Sequence, residues 1–258
     1  MKQKGYARVS SLSVSSGRVI IVGDIHGCNR ELQELLRIVS FDKKSDTLVT
    51  VGDLVNKGPD SFGVVRFLQQ LGAYNVLGNH DLKLLKLVKK LEKHGTLKEK
   101  DRKSSMASLA ASAPHDVTAY LSGLPHILRI PAHNVIVVHA GLHPQRLLEK
   151  QVVKEVTTMR NLIERDCTGT TDEVTGETGI TLTATEETTK GGVPWASLWG
   201  GPETVVFGHD ARRGLQEEYR PFAIGIDSRC VYGGRLSAVV YPGGEIVSVP
   251  GWCGAPKV

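Results

Sequence analysis

Five short polar motifs, each carrying Asp, Asn or His, are spread over most of this 258-residue chain. Most of them follow a short apolar, β-branched run that predicts a buried strand. Because neighbouring strands of a sheet end at the same edge, motifs far apart in sequence are expected to meet there. The pattern therefore constrains the chain to an α/β fold with polar side chains gathered at one edge. The motifs are Gly23-Asp24-Ile25-His26-Gly27, Gly52-Asp53, Gly78-Asn79-His80-Asp81, His139-Ala140-Gly141 and Gly208-His209.

The segments around the motifs alternate between strand and helix patterns. Residues 18–22 and 47–51 predict buried strands, and residues 61–71 predict a helix. The resulting βαβαβ order implies a parallel sheet covered by helices. Residues 222–249 alternate β-branched runs with Gly-Gly pairs, which predicts an antiparallel meander. Parallel strands followed by antiparallel strands, with helices outside, predict a two-sheet sandwich.

Three further segments shape the expected domain organisation. Residues 1–17 mix Lys, Arg and Ser and are interpreted as a loose leader before a single domain of residues 18–258. Residues 168–192 are rich in Thr, Glu and Gly without a helical period, which indicates a long polar insertion. Residues 82–103 predict a strongly basic helix. A solvated face is the simpler reading of this helix, and binding of polyphosphate or RNA is the alternative.

The composition places the expected protein in a cytoplasmic setting. The net charge of +5 suits an anionic substrate without being a nucleic-acid signature. No apolar run approaches the roughly 20 residues that span a membrane. The four cysteines have irregular spacing and no signal peptide precedes them, so reduced thiols are expected. They are Cys28, Cys167, Cys230 and Cys253.

The donor atoms of the motifs suit two divalent cations that share one carboxylate. Such a pair leaves room for a water or hydroxide, whose pKa a metal lowers to roughly 7. The other histidines are interpreted as structural: His94, His115, His126, His133 and His143. The proposed ligands are Asp24 and His26 for the first metal, Asp53 as the bridge, and Asn79, His139 and His209 for the second.

The order of the motifs resembles the phosphoprotein-phosphatase branch of the calcineurin-like metallophosphoesterases. It is most similar to the symmetrical diadenosine tetraphosphatases and the related ApaH-like phosphatases. The resemblance covers about residues 18–249 and includes residues 52–61, Met159-Arg160 and residues 226–234. It implies an αββα sandwich and a two-metal site. Manganese is the first choice, with iron, zinc, cobalt or magnesium as alternatives. The ligands proposed above fall on the family's ligand positions.

One departure from this resemblance bears on the substrate. The protein Ser/Thr phosphatases carry Asp-Arg where this chain has Asn56-Lys57. There the Asp supports a catalytic His, matched here by His80, so Asn56 is expected to leave His80 a weaker acid. A nucleoside diphosphate needs less acid assistance than a serine alkoxide, which favours cleavage of a phosphoanhydride. Alternatively, Asp81 supports His80 and the exchange says nothing about the substrate.

Phosphate binding is assigned to two cations, Lys57 and Arg160. The alternatives are a solvated turn lysine and a helix-surface arginine. Arg229 stands where related sequences usually have Gly. A plain surface role is favoured for it, and an added phosphate contact is the alternative.

The predicted function is metal-dependent hydrolysis of a dinucleoside polyphosphate, cutting diadenosine tetraphosphate into two ADP by attack of a metal-bridging hydroxide. The alternatives are a Ser/Thr protein phosphatase on the same site and an RNA-cap pyrophosphohydrolase. An inactive binding module is a third, and the intact ligand set argues against it. The expected partner is a nucleotide polyphosphate, with an RNA cap as a related substrate. Neither a membrane nor an obligate protein partner is expected.

Overall fold

The computed structural model describes residues 5–14, 17–171, 178–188 and 191–254. Within these ranges the strands form two five-stranded sheets and one three-stranded sheet. The strands are β1 (Val9–Ser11), β2 (Val19–Val22), β3 (Thr47–Thr50), β4 (Tyr74–Asn75), β5 (Ile127–Ile130), β6 (Val135–Val138), β7 (Asn161–Thr171), β8 (Thr178–Thr185), β9 (Val193–Pro194), β10 (Thr204–Phe207), β11 (Ala223–Gly225), β12 (Arg235–Tyr241) and β13 (Glu245–Pro250). The helices are α1 (Asn29–Ile38), α2 (Ser61–Leu71), α3 (Asn79–His94), α4 (Glu99–Arg102), α5 (Met106–Ala111), α6 (His115–Gly123) and α7 (Val153–Thr158).

The first sheet has the strand order β13-β12-β2-β3-β4. Strands β2, β3 and β4 are parallel, with Ile21 opposite Val49 and Thr50 opposite Asn75. Helices α1 and α2 connect them, which confirms the predicted βαβαβ order. Helix α2 ends at Gly72, whose φ of 73° is the left-handed conformation common at helix C-termini. Strand β12 pairs antiparallel with β2 and closes the other side.

The second sheet has the order β1-β5-β6-β10-β11. Strands β6, β10 and β11 are parallel, with Val205 opposite both Ile136 and Ala223. Strand β5 runs antiparallel to β6. The carboxyl ends of β6 and β10 therefore lie at one edge of this sheet, as those of β2 and β3 do in the first.

The apolar residues form three layers of core, which confirms the predicted αββα sandwich. The first layer packs helices on the outer face of the first sheet and contains Leu32, Leu68 and Leu84. The second lies between the two sheets and contains Ile21, Val49 and Val206. The third covers the second sheet and includes Val156, Trp195 and Phe207. The covering layer there is α7 together with the three-stranded sheet β8-β7-β9.

The prediction of a loose leader for residues 1–17 is wrong for the part that the structure describes. Strand β1 pairs with β5 in parallel, with Val9 opposite Ile127. Ala7 and Leu12 are buried. The segment was misread because three strand residues are too few to show an alternating pattern. Residues 1–4 and 15–16 lie outside the described residues.

The predicted polar loop of residues 168–192 is also wrong where it can be assessed. Strand β7 continues to Thr171 and pairs antiparallel with β8, so residues 168–171 and 178–185 of this segment belong to strands. Threonine favours strands because its branched side chain fits a pleated surface. The Thr-rich composition was therefore a strand signal. Residues 172–177 and 189–190 lie outside the described residues.

Two further boundaries differ from the prediction. The basic helix of residues 82–103 is interrupted, since α3 ends at His94 and α4 begins at Glu99. The predicted antiparallel meander over residues 222–249 is split between the two sheets. Strand β11 is parallel to β10 in the second sheet, whereas β12 and β13 form an antiparallel hairpin in the first.

No helix among the described residues is long and apolar enough to cross a membrane. Cys28, Cys230 and Cys253 are free thiols. The side chain of Cys167 lies outside the described part of the chain.

Candidate active site

The polar motifs meet where the carboxyl ends of β2, β3, β6 and β10 converge, as predicted. Asp24 follows β2, Asp53 follows β3 and His139 follows β6, and all three are buried. Their ligand atoms lie within 4.8 Å of one another. The ligand atoms of His26, Asp53 and His80 form a second group within the same distance. Asp53 is the member common to both groups, as a bridging ligand must be.

The second half of the site is centred on Asn79, the first residue of α3. Its Oδ1 lies 2.9 Å from His139 Nε2 and 3.1 Å from His209 Nδ1. His139 Nε2 is also 3.5 Å from Asp53 Oδ1, while His26 Nε2 is 3.4 Å from Asp53 Oδ2. The structure therefore brings all six proposed metal ligands together, with Asp53 between the two groups.

Backbone carbonyls set the tautomer of the three histidines among these ligands. A neutral imidazole that donates from one nitrogen keeps a lone pair on the other, which is the form that binds a metal. In each histidine, the ring nitrogen that does not contact the carbonyl approaches another proposed metal ligand. The contacts are His26 Nδ1 to Val55 O (3.0 Å), His139 Nδ1 to Val51 O (2.8 Å) and His209 Nε2 to Thr158 O (3.2 Å).

The electrostatics of this donor set fit bound cations. Burial raises the pKa of Asp53 to about 7, and burial together with Asp227 and Asp53 raises the pKa of Asp24 well above its ordinary value. Burial also lowers the pKa of His139 to about 4. Burial therefore disfavours both the protonated form of the ring and the ionised form of the carboxylates. Divalent cations relieve that penalty, so the donor chemistry fits two metal ions.

His80 contacts Asn56, as the sequence interpretation expected. The Nδ2 atom of Asn56 lies 2.8 Å from His80 Nδ1. The alternative, in which Asp81 supports His80, is wrong. The carboxylate of Asp81 accepts backbone N–H groups of Leu54 and Gly78 instead. Burial and the nearby Lys57 ammonium lower the pKa of His80 to about 3.

The two proposed phosphate-binding cations line one cavity of about 300 Å³ together with all the metal-ligand candidates except His139. The Nζ of Lys57 lies 2.9 Å from His26 Nε2. The guanidinium of Arg160 is fixed by the carbonyls of Glu186 (3.1 Å) and His209 (3.4 Å) and lies 3.3 Å from Asp210. Both cations are therefore held at the polar wall of the cavity.

Five cavity residues were not proposed as site residues from the sequence. Asp227 is buried and follows β11, so it obeys the same strand-end rule as the other motifs. The rule was not applied there because residues 222–249 were read as an antiparallel meander. The favoured surface role of Arg229 is incomplete, because this exposed residue also lines the cavity. The remaining three are Ala211, Arg212 and Tyr232.

The five histidines interpreted as structural lie outside the lining of this cavity. His126 is buried, and its Nδ1 accepts the backbone N–H of Arg8 at 3.0 Å. His143 is buried and its ring contacts the carbonyl of Leu182. For these two residues, packing between chain segments accounts for the side chain.

Comparison with known families points in one direction. The profile of the family described as "Calcineurin-like phosphoesterase" matches residues 17–219. A solved crystal structure with the provisional name diadenosine tetraphosphatase is similar to this chain, with 67% identity and a TM-score of 0.84. The match covers 96% of this chain and 100% of the other.

Two curated relatives are equally similar in sequence. A symmetrical bis(5'-nucleosyl)-tetraphosphatase of Coxiella burnetii (strain Dugway 5J108-111) is 31% identical, over 89% of this chain and 90% of its own length. The asymmetrical bis(5'-nucleosyl)-tetraphosphatase PrpE of Oceanobacillus iheyensis is also 31% identical, over 90% of this chain and 92% of its own length. The names of the two relatives differ in the position of the cut, and their identities to this chain do not separate them.

Proposed function

The chain belongs to the calcineurin-like phosphoesterase family, and we propose that it hydrolyses a phosphoanhydride bond of a dinucleoside polyphosphate. The proposed reaction converts diadenosine tetraphosphate into two ADP. The names of the relatives support this substrate class. The symmetrical cut is the part of the proposal that product identification decides.

The family implies divalent metal ions, and we propose two manganese ions. Imidazole nitrogens together with carboxylate and amide oxygens suit manganese, iron, zinc or cobalt. Asp24 and His26 would hold the first ion, Asp53 both, and Asn79, His139 and His209 the second. When bound, the pair lowers the pKa of a water molecule and offsets the negative charge of the phosphate. Asp227 lies close enough to raise the pKa of Asp24, so it belongs to the same cluster of acidic side chains as Asp24 and Asp53.

Other side chains at the cavity position the substrate. Lys57 and Arg160 present cationic donors to the oxygens of the scissile phosphate. The amide of Asn56 donates to Nδ1 of His80, which leaves Nε2 to carry the proton of the neutral ring. His80 can therefore donate a hydrogen bond from Nε2 to the leaving oxygen while the ring keeps its proton.

The contact between Asn56 and His80 is the observation on which the proposed substrate class rests. A carboxylate in place of Asn56 would stabilise the imidazolium and make His80 an effective acid. An amide that donates to Nδ1 opposes a positive charge on the ring, and the pKa of His80 is low already. A nucleoside diphosphate leaves through an oxygen whose pKa is about 6, so it needs little protonation. A serine alkoxide is far more basic and depends on the acid.

A substrate panel tests this proposal. Purified protein with manganese is assayed on diadenosine tetraphosphate, capped RNA, a phosphoserine peptide and p-nitrophenyl phosphate, with the products identified. We expect kcat/KM for diadenosine tetraphosphate to exceed that for the peptide by about two orders of magnitude, the usual contribution of acid catalysis. The Asp53→Asn variant controls for contaminating phosphatases. Faster turnover of the peptide would overturn the proposal, and preferential decapping would redirect it to RNA caps.

We further propose a cytoplasmic location for the protein. The free thiols of Cys28 and Cys230 are buried in the described core, as expected of a protein in a reducing compartment. Subcellular fractionation tests this proposal, and recovery with the extracellular or membrane fraction would contradict it.

A further inference from the structure

The cationic side chains around the cavity differ in the hydrogen bonds and ion pairs that they form within the protein. Arg160 is fixed by carbonyls and lies beside Asp210, and Arg213 is paired with the same carboxylate. Arg212 approaches the hydroxyl of Thr188 at 3.4 Å. By contrast, the guanidinium of Arg229 forms no hydrogen bond or ion pair with any residue that the structure describes. It is an exposed cation at the cavity wall, and no carboxylate in the described part of the chain pairs with it.

The backbone of Arg229 is hydrogen-bonded to Asp227, next to the proposed metal ligand Asp24. Its N–H donates to Oδ1 of Asp227 at 3.1 Å, and the charge of Asp227 acts on Asp24. The turn continues through Tyr232, whose N–H donates to the carbonyl of Arg229 at 3.0 Å. These contacts fix where the side chain of Arg229 begins, next to the proposed metal centre.

The backbone conformation of Arg229 is unfavourable for an arginine. Its φ is 68°, in the left-handed region where a Cβ is crowded. The chain keeps a long cationic side chain at a position where glycine would fit without strain. Strain of this kind at the wall of a functional cavity points to a role for the side chain.

We propose that Arg229 binds a non-scissile phosphate of the polyphosphate bridge. The inference rests on the proposed function, because it requires a substrate with more than one phosphate. Lys57, beside His26, and Arg160, beside His209, flank the metal-binding edge and serve the scissile phosphate. Arg229 is exposed on the turn that follows Asp227 and reaches the next phosphate along the bridge. It selects polyphosphates over phosphomonoesters.

The test compares Arg229→Gly with wild type on two substrates in the presence of manganese. We expect KM for diadenosine tetraphosphate to rise at least about tenfold, the loss typical of a charge-assisted hydrogen bond, with a smaller change in kcat. The effect on p-nitrophenyl phosphate should be at least several-fold smaller. The melting temperature should be equal or higher, because glycine relieves the left-handed strain.

Two further variants separate the explanations. Arg229→Lys keeps the charge and should recover part of the affinity, whereas Lys44→Gln removes an exposed charge between α1 and β3, outside the cavity lining, and should leave KM unchanged. Equal losses on both substrates would overturn the proposal, as would a wild-type KM in Arg229→Gly. If wild type itself does not cleave diadenosine tetraphosphate, the proposed function fails instead. The two failures are therefore distinguishable.

Discussion

At the scale of single residues, the site is built from backbone conformations that side chains normally avoid. Six of the eight non-glycine residues with positive φ in the described chain belong to the site or its rim. Each such residue costs on the order of 1–3 kcal/mol. Local hydrogen bonds hold them in place. They are His26, Asp53, Asn56, Lys57, His209 and Arg229.

Asn56→Asp should change the substrate preference with little effect on folding. Asp tolerates the left-handed conformation that Asn56 adopts, with φ of 75°. A carboxylate beside His80 would raise its pKa and strengthen it as an acid. We expect kcat/KM for a phosphoserine peptide to rise about tenfold or more, and that for diadenosine tetraphosphate to change by less than about threefold. Parallel steady-state assays measure both, and an equal change in both substrates would contradict the role assigned to Asn56.

The residues of the site could be predicted from sequence to the extent that they follow strands. Asp24, Asp53 and His139 each come directly or almost directly after a buried apolar run, so sheet geometry brings them together. Arg229 lies further from its strand, on the turn beyond Asp227, and adopts a left-handed conformation. The sequence marked it only as a departure from the glycine of related sequences, and its place in the cavity is visible only in three dimensions.

At the scale of elements, the glycines of the motifs let strands and carboxylates approach closely. A Cβ on Gly208 would overlap Oδ1 of Asp24, and one on Gly78 would overlap Oδ1 of Asp53. The strand-to-loop junctions therefore require glycine for steric reasons. This explains why a Gly stands immediately before each of Asp53, Asn79 and His209 in the sequence.

Gly208→Ala should impair metal binding, because the added methyl group displaces the carboxylate of Asp24. We expect the manganese content measured by elemental analysis to fall by about half or more in this variant. Gly123→Ala is the matched control. Its Cβ meets no atom within 4 Å at the exposed end of α6, so it should retain the metal and gain up to about 1 kcal/mol of stability. Full metal content in Gly208→Ala would show that Asp24 is not a ligand.

The short strand β1 should contribute measurably to stability. Leu12, the residue that follows β1, is 6% exposed and packs between the sheets, so Leu12→Ala should cost about 2–4 kcal/mol. The exposed neighbour Ser13→Ala should change stability by less than about 0.5 kcal/mol. Urea denaturation measures both variants. Equal stabilities would restore the interpretation of this segment as a loose leader.

Strands were predictable where they are buried and continuous, and they were missed where tertiary pairing defines them. Residues 204–207 form β10 as their apolar run indicates. Strand β1 forms because β5 offers an edge with which it pairs in parallel. Strand β11 was predicted to belong to an antiparallel meander, but it pairs in parallel with β10 because the sandwich, and not the neighbouring turn, places the two strands side by side.

At the scale of the whole molecule, the site lies at the seam between the two sheets. The first sheet and its helices contribute Asp24, Asp53 and Asn79, while the second contributes His139 and His209. Cations that neutralise the carboxylates at this seam would therefore contact residues of both sheets. Bound cations should stabilise the complete sandwich and not a single loop.

Stabilisation by manganese should increase with pH. The pKa of Asp53 is raised from 3.8 to about 7, so deprotonation of Asp53 destabilises the metal-free fold as pH rises through 7. The metal-bound fold requires the ionised form and gains affinity over the same range, by up to about tenfold per pH unit and proton. His139 titrates near pH 4, below this window. The rise in melting temperature on adding manganese should be larger at pH 8 than at pH 6, and equal shifts would contradict the ligand role of Asp53.

The most direct test of the central claim is to identify the products of diadenosine tetraphosphate hydrolysis in ¹⁸O-labelled water with manganese present. Hydrolysis of the central phosphoanhydride predicts ADP as the sole nucleotide product, with one labelled oxygen on the terminal phosphate of one ADP in each pair. Formation of ATP and AMP would contradict the symmetrical cut. Intact diadenosine tetraphosphate, under conditions in which a phosphoserine peptide is cleaved, would contradict the claim that this site hydrolyses dinucleoside polyphosphates.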